Sequence, residues 1–435
     1  MRSLNFPAGL VSWIAVGGAK ASSDNVNGSK GLASPWVNRV VNMNRKIYFE
    51  PAGQILSSHQ SVFLNPPPGY EFITTAGFWD KMGTKGHSML ESYLYKIGLA
   101  SLPWHYIKPK VEGVFKRPPE GTCLTFAWNH LVFRKEPWVI QVEWPEMLTG
   151  WNYTFFSLLK KRVEQTLASP DCRKIITWSE VARNSFFLNM DCANFEHKME
   201  VVPLAIPAKD FAKNYNDDKV KLLFVGSTHM KGRADYNFNL KGGKEVLEAF
   251  AILNQKYDNL ELVLRTEIPA KHREMCQSFS NIKLIEEAIP WKELEQEYKS
   301  ADIFLFPGHD TPFGVILEAM SYELPVITTD VYGNRELVTD GETGFVIRSS
   351  EIVSYYSGSY ATRPMTGPKQ WKDASLSTDP KVIQELVEKV SLLIEDRELR
   401  RKIGKAARQE VETGKHSINY RNQKLKQIFD EVIGR

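Results

Sequence analysis

The chain has 435 residues, 43% hydrophobic and 24% charged, with a formal net charge of +4. That length asks for about two domains, and the composition excludes a disordered or collagenous polypeptide. So small a net charge gives no ground for a nucleic-acid partner, and no apolar run reaches the roughly 18 residues that a membrane span requires.

Residues 1–45 are rich in Ser, Asn and Gly without a sustained period and read as an N-terminal extension. Arg2, the apolar run 10–16 and Ala19-Lys20-Ala21 resemble an export signal only faintly, so a cytoplasmic location is expected. Beyond this extension, short apolar runs alternate with amphipathic stretches. The runs at 47–49, 72–74, 124–127, 138–142, 175–178 and 201–203 predict buried strands, and 88–98, 155–168 and 179–189 predict helices between them. A polar stretch at 207–220 reads as a linker. After it the alternation resumes, with strands over 222–225, 260–264, 282–285, 303–306, 326–328 and 345–347. Helices are expected over 243–257, 291–300 and 314–322. Residues 350–380 read as an irregular insertion, and the charged run from 380 to 434 as helical.

Strand–helix alternation predicts parallel sheets covered on both faces, hence an α/β protein of two doubly wound domains around a central cleft. The expected division is an acceptor-side domain over 46–207, a linker over 208–220, a donor-side domain over 221–415 and a closing helix over 416–435 that crosses back to the first domain. Ligands of such sheets sit beyond the carboxyl ends of the strands.

The segment 303–347 carries the chemistry. A buried strand ends at Phe306, Pro307-Gly308 breaks it, and a polar loop with His309 and Asp310 leads to a helix near Phe313-Gly314. A helix that starts at glycine offers free amides and a partial positive charge to a pyrophosphate. Asp310 before the helix and Glu318 inside it are carboxylates suited to the vicinal diols of a ribose or hexose. The same acids would also stabilise any helix N-terminus through its dipole.

In register, the segment runs Asp310-x7-Glu318, Phe313-Gly314, Glu318-Ala319-Met320, Leu324-Pro325-Val326-Ile327, Gly333-Asn334-Arg335-Glu336 and Asp340-Gly341-Glu342-Thr343-Gly344-Phe345. It resembles the donor site of glycosyltransferase family 4, retaining enzymes of the two-Rossmann-domain GT-B fold. Upstream, Leu222-Leu223-Phe224-Val225-Gly226 and Lys241-Gly242-Gly243 extend the resemblance over roughly 220–350. The resemblance implies that Glu318 holds the ribose diol of a nucleotide diphosphate sugar and that Asp310 contacts the donor hexose. It implies that Lys241 neutralises the departing pyrophosphate, helped by the amides of Phe313, Gly314 and Val315, with no metal ion or other cofactor required. Gly226, Ser227, Arg233 and Arg265 complete the expected donor side.

Two departures stand out. Asp310 is one methylene shorter than the Glu of the family pattern, and Ser227 stands where the family carries a phosphate-binding Arg. Lys231 or Arg233 in the loop 228–240 would restore that charge, unless they are ordinary surface charges.

The N-terminal half is less specific. Glu143 follows an apolar strand and is a candidate catalytic residue, because a buried carboxylate without a task is costly. His130, at another strand end, is a candidate on the acceptor side, against the alternative of a structural histidine. Nine of the eleven tryptophans fall in 1–210, where core packing and sugar stacking both explain them. Residues 1–210 carry 23 Lys/Arg against 17 Asp/Glu, and Lys160-Lys161-Arg162 adds a basic run. A solvated surface explains this excess, and peripheral contact with the inner face of a membrane is the alternative. Cys123, Cys172, Cys192 and Cys276 show no metal spacing and read as reduced thiols.

The leading expectation is retaining transfer of a hexose from a nucleotide diphosphate sugar to a glycan, lipid-linked or small-molecule acceptor. A nucleotide-sugar epimerase of the same fold and a catalytically silent nucleotide-sugar-binding scaffold remain open.

Overall fold

A computed structural model describes residues 44–51, 57–74, 103–150, 153–215, 218–226, 234–349, 353 and 369–434. In it the apolar runs form two six-stranded sheets in which every pairing is parallel. The helix expected over 88–98 and nearly all of the N-terminal extension lie outside the described residues.

The first sheet contains β1 (Arg45–Pro51), β2 (Tyr70–Ile73), β3 (Thr122–Trp128), β4 (Trp138–Gln141), β5 (Cys172–Thr177) and β6 (Met199–Val201). Their order is β2-β1-β3-β4-β5-β6. Helices α1 (Ser57–Leu64), α2 (Trp104–Phe115), α3 (Tyr153–Ala168) and α4 (Glu180–Asn189) belong to this half. Ile47, Phe49, Phe126 and Trp128 are fully buried, because strands covered on both faces cannot alternate between apolar and polar residues.

The second sheet contains β7 (Val220–Val225), β8 (Leu260–Arg265), β9 (Ile282–Ile285), β10 (Ile303–Phe306), β11 (Val326–Thr329) and β12 (Gly344–Ile347). Its order is β12-β11-β10-β7-β8-β9. Counted from its own first strand, this is the order 3-2-1-4-5-6 of a dinucleotide-binding sheet, and the winding reverses between β7 and β10. Around it stand α5 (Ala234–Leu240), α6 (Gly243–Leu253), α7 (Ala270–Gln277), α8 (Trp291–Ser300), α9 (Phe313–Ser321) and α10 (Asn334–Leu337). The crevice at the reversal is thus bordered by the loops that leave β7 and β10.

Four more helices follow: α11 (Lys369–Leu376), α12 (Pro380–Glu395), α13 (Arg397–Glu412) and α14 (Ile418–Ile433). The stretch read as irregular over 350–380 thus contains helix α11. Pro380 takes the first position of α12, and the side chains of Asp379, Asp396 and Ser417 accept amides at the starts of α12, α13 and α14. Ile403, Ala407 and Val411 recur at helical spacing as the buried stripe of α13.

The polar stretch read as a linker is not a free tether. Arg408 of α13 donates to the carbonyls of Lys209 (3.1 Å) and Phe211 (3.0 Å). Lys213 donates to the carbonyl of Ala301, and the Tyr215 hydroxyl to Glu323. Residues 209–215 are therefore sewn onto the second sheet's half.

Helix α14 packs on the first sheet. The Phe429 ring lies 5.2 Å from Tyr70 and 5.9 Å from Phe126, and the Tyr70 hydroxyl donates to Asp430 at 2.6 Å. Arg421, also on α14, is fully buried and donates to Ser61 Oγ at 2.9 Å and the Asn65 carbonyl at 2.8 Å.

His416 ties this crossing to the earlier one. Its Nδ1 lies 2.8 Å from the Leu204 carbonyl, and its Nε2 lies 3.3 Å from the carbonyl of Glu336. A neutral ring carries one proton, and the shorter contact assigns it to Nδ1. Burial, reinforced by Lys415, pushes the His416 pKa from 6.5 down to about 4, against the two carbonyls. The unfolded protein therefore binds a proton between those values that the folded protein refuses. Stability from this group is complete above the unfolded value and is lost as pH falls towards the folded one. A fall of about 3 kcal/mol between about pH 6.5 and pH 4 is expected from His416 alone. Urea unfolding of the parent and of His416→Asn across this range measures it, and the variant should show the shallower pH dependence.

Candidate active site

The loop Pro307–Pro312 leads from β10 into α9, at the reversal of the second sheet. Asp310 Oδ1 accepts the Thr311 amide at 2.9 Å, and Thr311 Oγ1 donates to the Val331 carbonyl at 3.3 Å. Both bonds fix the loop's shape. Helix α9 has no side-chain cap, and the residue before it is Pro312. The Val315 amide turns back to the Pro312 carbonyl at 3.0 Å. Of the three amides expected to meet a pyrophosphate, those of Phe313 and Gly314 are the first two of the uncapped helix, where the dipole is strongest.

Lys241 stands in the turn between α5 and α6, directly against this loop. Gly242 has φ +80°, and a Cβ there would lie 2.5 Å from both the carbonyl carbon and the oxygen of Pro307. The His309 amide donates to the Leu240 carbonyl at 2.8 Å, and Lys241 Nζ lies 5.6 Å from the centre of the Phe306 ring. Glycine at 242 is thus what lets the Lys241 turn touch the β10 exit. Beneath it, His309 Nε2 lies 3.8 Å from Glu245 Oε1, with both side chains buried.

At the exit of β7, the Gly226 amide donates to the Arg265 carbonyl at 2.7 Å, and Arg265 Nη1 donates to the Gly226 carbonyl at 3.2 Å. Burial pushes the Arg265 pKa down. Its guanidinium supports the backbone at the β7 exit. Ser227, Lys231 and Arg233 lie outside the described residues.

Glu318 lies inside α9, its side chain 22% exposed. Burial raises its pKa, and Lys209 opposes the rise through an ion pair of 2.9 Å to Oε2. The Lys209 ammonium also lies 5.3 Å from the centre of the Trp291 ring and 5.4 Å from that of Tyr322. Its place in a polar stretch hid this lysine from the sequence reading.

The first sheet's half meets this site at the carboxyl ends of its strands. Trp178, just beyond β5, sets its ring edge-on to Phe313 at 5.9 Å, and Trp144 meets Tyr332 at 5.4 Å. These two tryptophans therefore pack between the halves. Glu143 follows β4, is 7% exposed, and donates its amide to Asn129 Oδ1 at 3.3 Å. His130 sits behind the strand ends. It is buried, with Nδ1 at 3.0 Å from the Trp128 carbonyl and Nε2 at 3.9 Å from Glu50. Burial pushes its pKa down despite Glu50. Burial would raise the Glu50 pKa, but Arg134, His130 and Lys116 outweigh it and hold it at about 2.

A second contact joins the halves. The Glu336 carboxylate accepts the amides of Glu180 and Val181, each at 2.8 Å, and so neutralises the start of α4 from across the cleft. Ser179 Oγ takes the next amide, that of Ala182, at 3.0 Å. Glu336→Ala is expected to speed hydrogen exchange at the Glu180 and Val181 amides by about tenfold and to cost about 1–2 kcal/mol of stability. Glu336→Gln, which keeps an acceptor, should lose less.

Residues 208–355 match the family model for glycosyl transferases group 1. That stretch is similar to a glycosyl transferases group 1 domain. It contains Lys209, Lys241, Asp310, Glu318 and Glu336. The capsular polysaccharide biosynthesis glycosyltransferase CapM of Staphylococcus aureus is 30% identical over 182 residues, which are 40% of this chain and 38% of CapM. The sulfoquinovosyl transferase SQD2 of Arabidopsis thaliana is 32% identical over 124 residues, 28% of this chain and 18% of SQD2. The chain thus matches well under half the length of these relatives. The crystal structure of Anabaena HepE in complex with UDP and glucose superposes with a TM-score of 0.54 at 12% identity, covering 89% of this chain and 99% of HepE. The fold is therefore GT-B, and the stretch that matches the group 1 model contains the second of its two Rossmann-like sheets.

No helix among the described residues is long and apolar enough to cross a membrane.

Proposed function

We propose that the protein is a retaining glycosyltransferase that moves a hexosyl group from a nucleoside diphosphate sugar to a glycan, lipid-linked or small-molecule acceptor. The observation that carries this reading is the reversal between β7 and β10. There the Lys241 turn lies against the loop that leads into an uncapped helix start, and the mostly buried carboxylate of Glu318 belongs to the same helix. The similarity to CapM, a capsular polysaccharide biosynthesis glycosyltransferase, supports a growing polysaccharide as the acceptor.

In this reading the bond between the anomeric carbon and the distal phosphate oxygen breaks, and its electron pair leaves with the diphosphate. Lys241 and the amides of Phe313 and Gly314 take up the developing charge, which a preorganised cation and dipole do without reorganisation and without a metal ion. Glu318 accepts ribose hydroxyls, and Asp310 those of the hexose. The acceptor hydroxyl attacks from the face the diphosphate leaves, and its proton passes to the departing phosphate. Glu143 borders the acceptor side, with His130 behind it. Arg265 holds the β7 exit through Gly226.

The test is release of nucleoside diphosphate from a panel of UDP-, GDP- and ADP-sugars, with and without mixed glycan acceptors and with EDTA present. Release from one donor, abolished in Glu318→Ala, supports the reading. Formation of a free epimer without acceptor would replace it by an epimerase, and nucleotide binding without turnover by a binding subunit.

A further inference from the structure

Lys209 is fixed to the second half of the protein and is not part of a free tether. Arg408 pins the carbonyls on either side of Asp210, and the Phe211 ring packs on Tyr322 at 5.3 Å, so the backbone here moves with the second half. Its ammonium is held between two aromatic faces and the Glu318 carboxylate. A cation fixed in this way differs from a solvated surface lysine, whose head would turn to water. Glu318 has need of one. Among the described residues, the titratable groups that act on it besides Lys209 are Glu295 and Tyr298 from α8 and Tyr322 at the end of its own helix, none of which brings positive charge. The nearby Lys299 is engaged with Glu295 at 3.1 Å.

We infer that Lys209 is a positioning residue of the nucleotide site: bound to Oε2 of Glu318, it keeps that carboxylate ionised and presents the other oxygen to a ribose hydroxyl. This rests on the reading of Glu318 given above. A charged carboxylate is a much stronger acceptor for a hydroxyl than the protonated acid, which must itself find an acceptor. The opposite role, a plug that fills the ribose position and must be expelled, predicts the reverse response to its removal.

The experiment is calorimetric binding of UDP, GDP and ADP to the full-length protein and to Lys209→Met and Lys209→Arg, at about pH 5.5 and about pH 7.5. Thermal unfolding of each protein is recorded alongside. Expected is a loss of about tenfold in affinity for Lys209→Met that deepens at the lower pH, because removing the cation leaves burial to raise the Glu318 pKa unopposed. Lys209→Arg, which keeps the charge, should recover most of the affinity and a pH dependence close to the parent's. Unchanged or tighter binding by Lys209→Met overturns the inference and leaves the nucleotide reading standing. Equal losses in both variants at both pH values also overturn it, since a merely structural role would give that result. If the parent binds none of the three nucleotides, the nucleotide reading falls and the role of Lys209 with it.

Discussion

Lys241→Met is expected to reduce the release of nucleoside diphosphate by about 10²–10³-fold while leaving the fold intact. The methionine keeps an apolar stem of similar length over the Phe306 ring, where the ammonium lies at 5.6 Å in the parent. What it removes is the positive charge at the exit of β10, before the loop that leads to the uncapped helix start, whose own partial charge remains. The loss should fall mainly on kcat, because the charge on the diphosphate grows as the glycosidic bond breaks. Steady-state rates with the donor chosen by the panel measure it. A rate within about threefold of the parent would remove Lys241 from the mechanism.

Gly242→Ala should be among the most damaging single-methyl additions to this protein. Two costs combine. The residue has φ +80°, a left-handed conformation that costs a side-chain-bearing residue about 1 kcal/mol. Its new Cβ would also lie 2.5 Å from the carbonyl carbon and oxygen of Pro307 and 2.9 Å from the nitrogen of Gly308. Those are backbone atoms of the β10 exit, which cannot turn aside as a long side chain does. A total of about 3–4 kcal/mol is expected, with loss of activity exceeding the loss of folded protein, because Lys241 moves with the turn. Gly341→Ala supplies the control. It has φ +76° with nothing within 4 Å of a Cβ, so it should cost only the conformational part, about 1 kcal/mol. Urea unfolding of both variants isolates the clash as their difference.

Much of the architecture was legible in the residues because buried parallel strands have a plain signature. The runs around β3, β7, β8 and β10 are apolar on both faces, and amphipathic stretches separate them. The stretch that matches the group 1 model was legible for a related reason. The helix that opens at Phe313-Gly314, the acids Asp310 before it and Glu318 within it, and the Lys-Gly-Gly turn are short-range features of the residue order, and the group 1 match covers the same stretch. Lys209 was read as part of a linker, since nothing local distinguishes it from a solvated lysine. Glu336 was seen as a member of a motif, without the partner that explains its position.

By itself the sequence determined the alternation of strands and helices, the class of fold that follows, and the local chemistry of the segment from 303 to 347. Tertiary structure decided the order of the strands and the contacts between distant segments. Lys209 meets Glu318, Glu336 meets the start of α4, Arg421 meets Asn65, and His416 joins Leu204 to Glu336. The physical reason is the range of the forces involved. Periodicity and turn chemistry act within a few residues and leave a trace in the order of amino acids. An ion pair or a capped helix end across the cleft depends on where two distant backbones come to rest, and the burial of both sheets decides that.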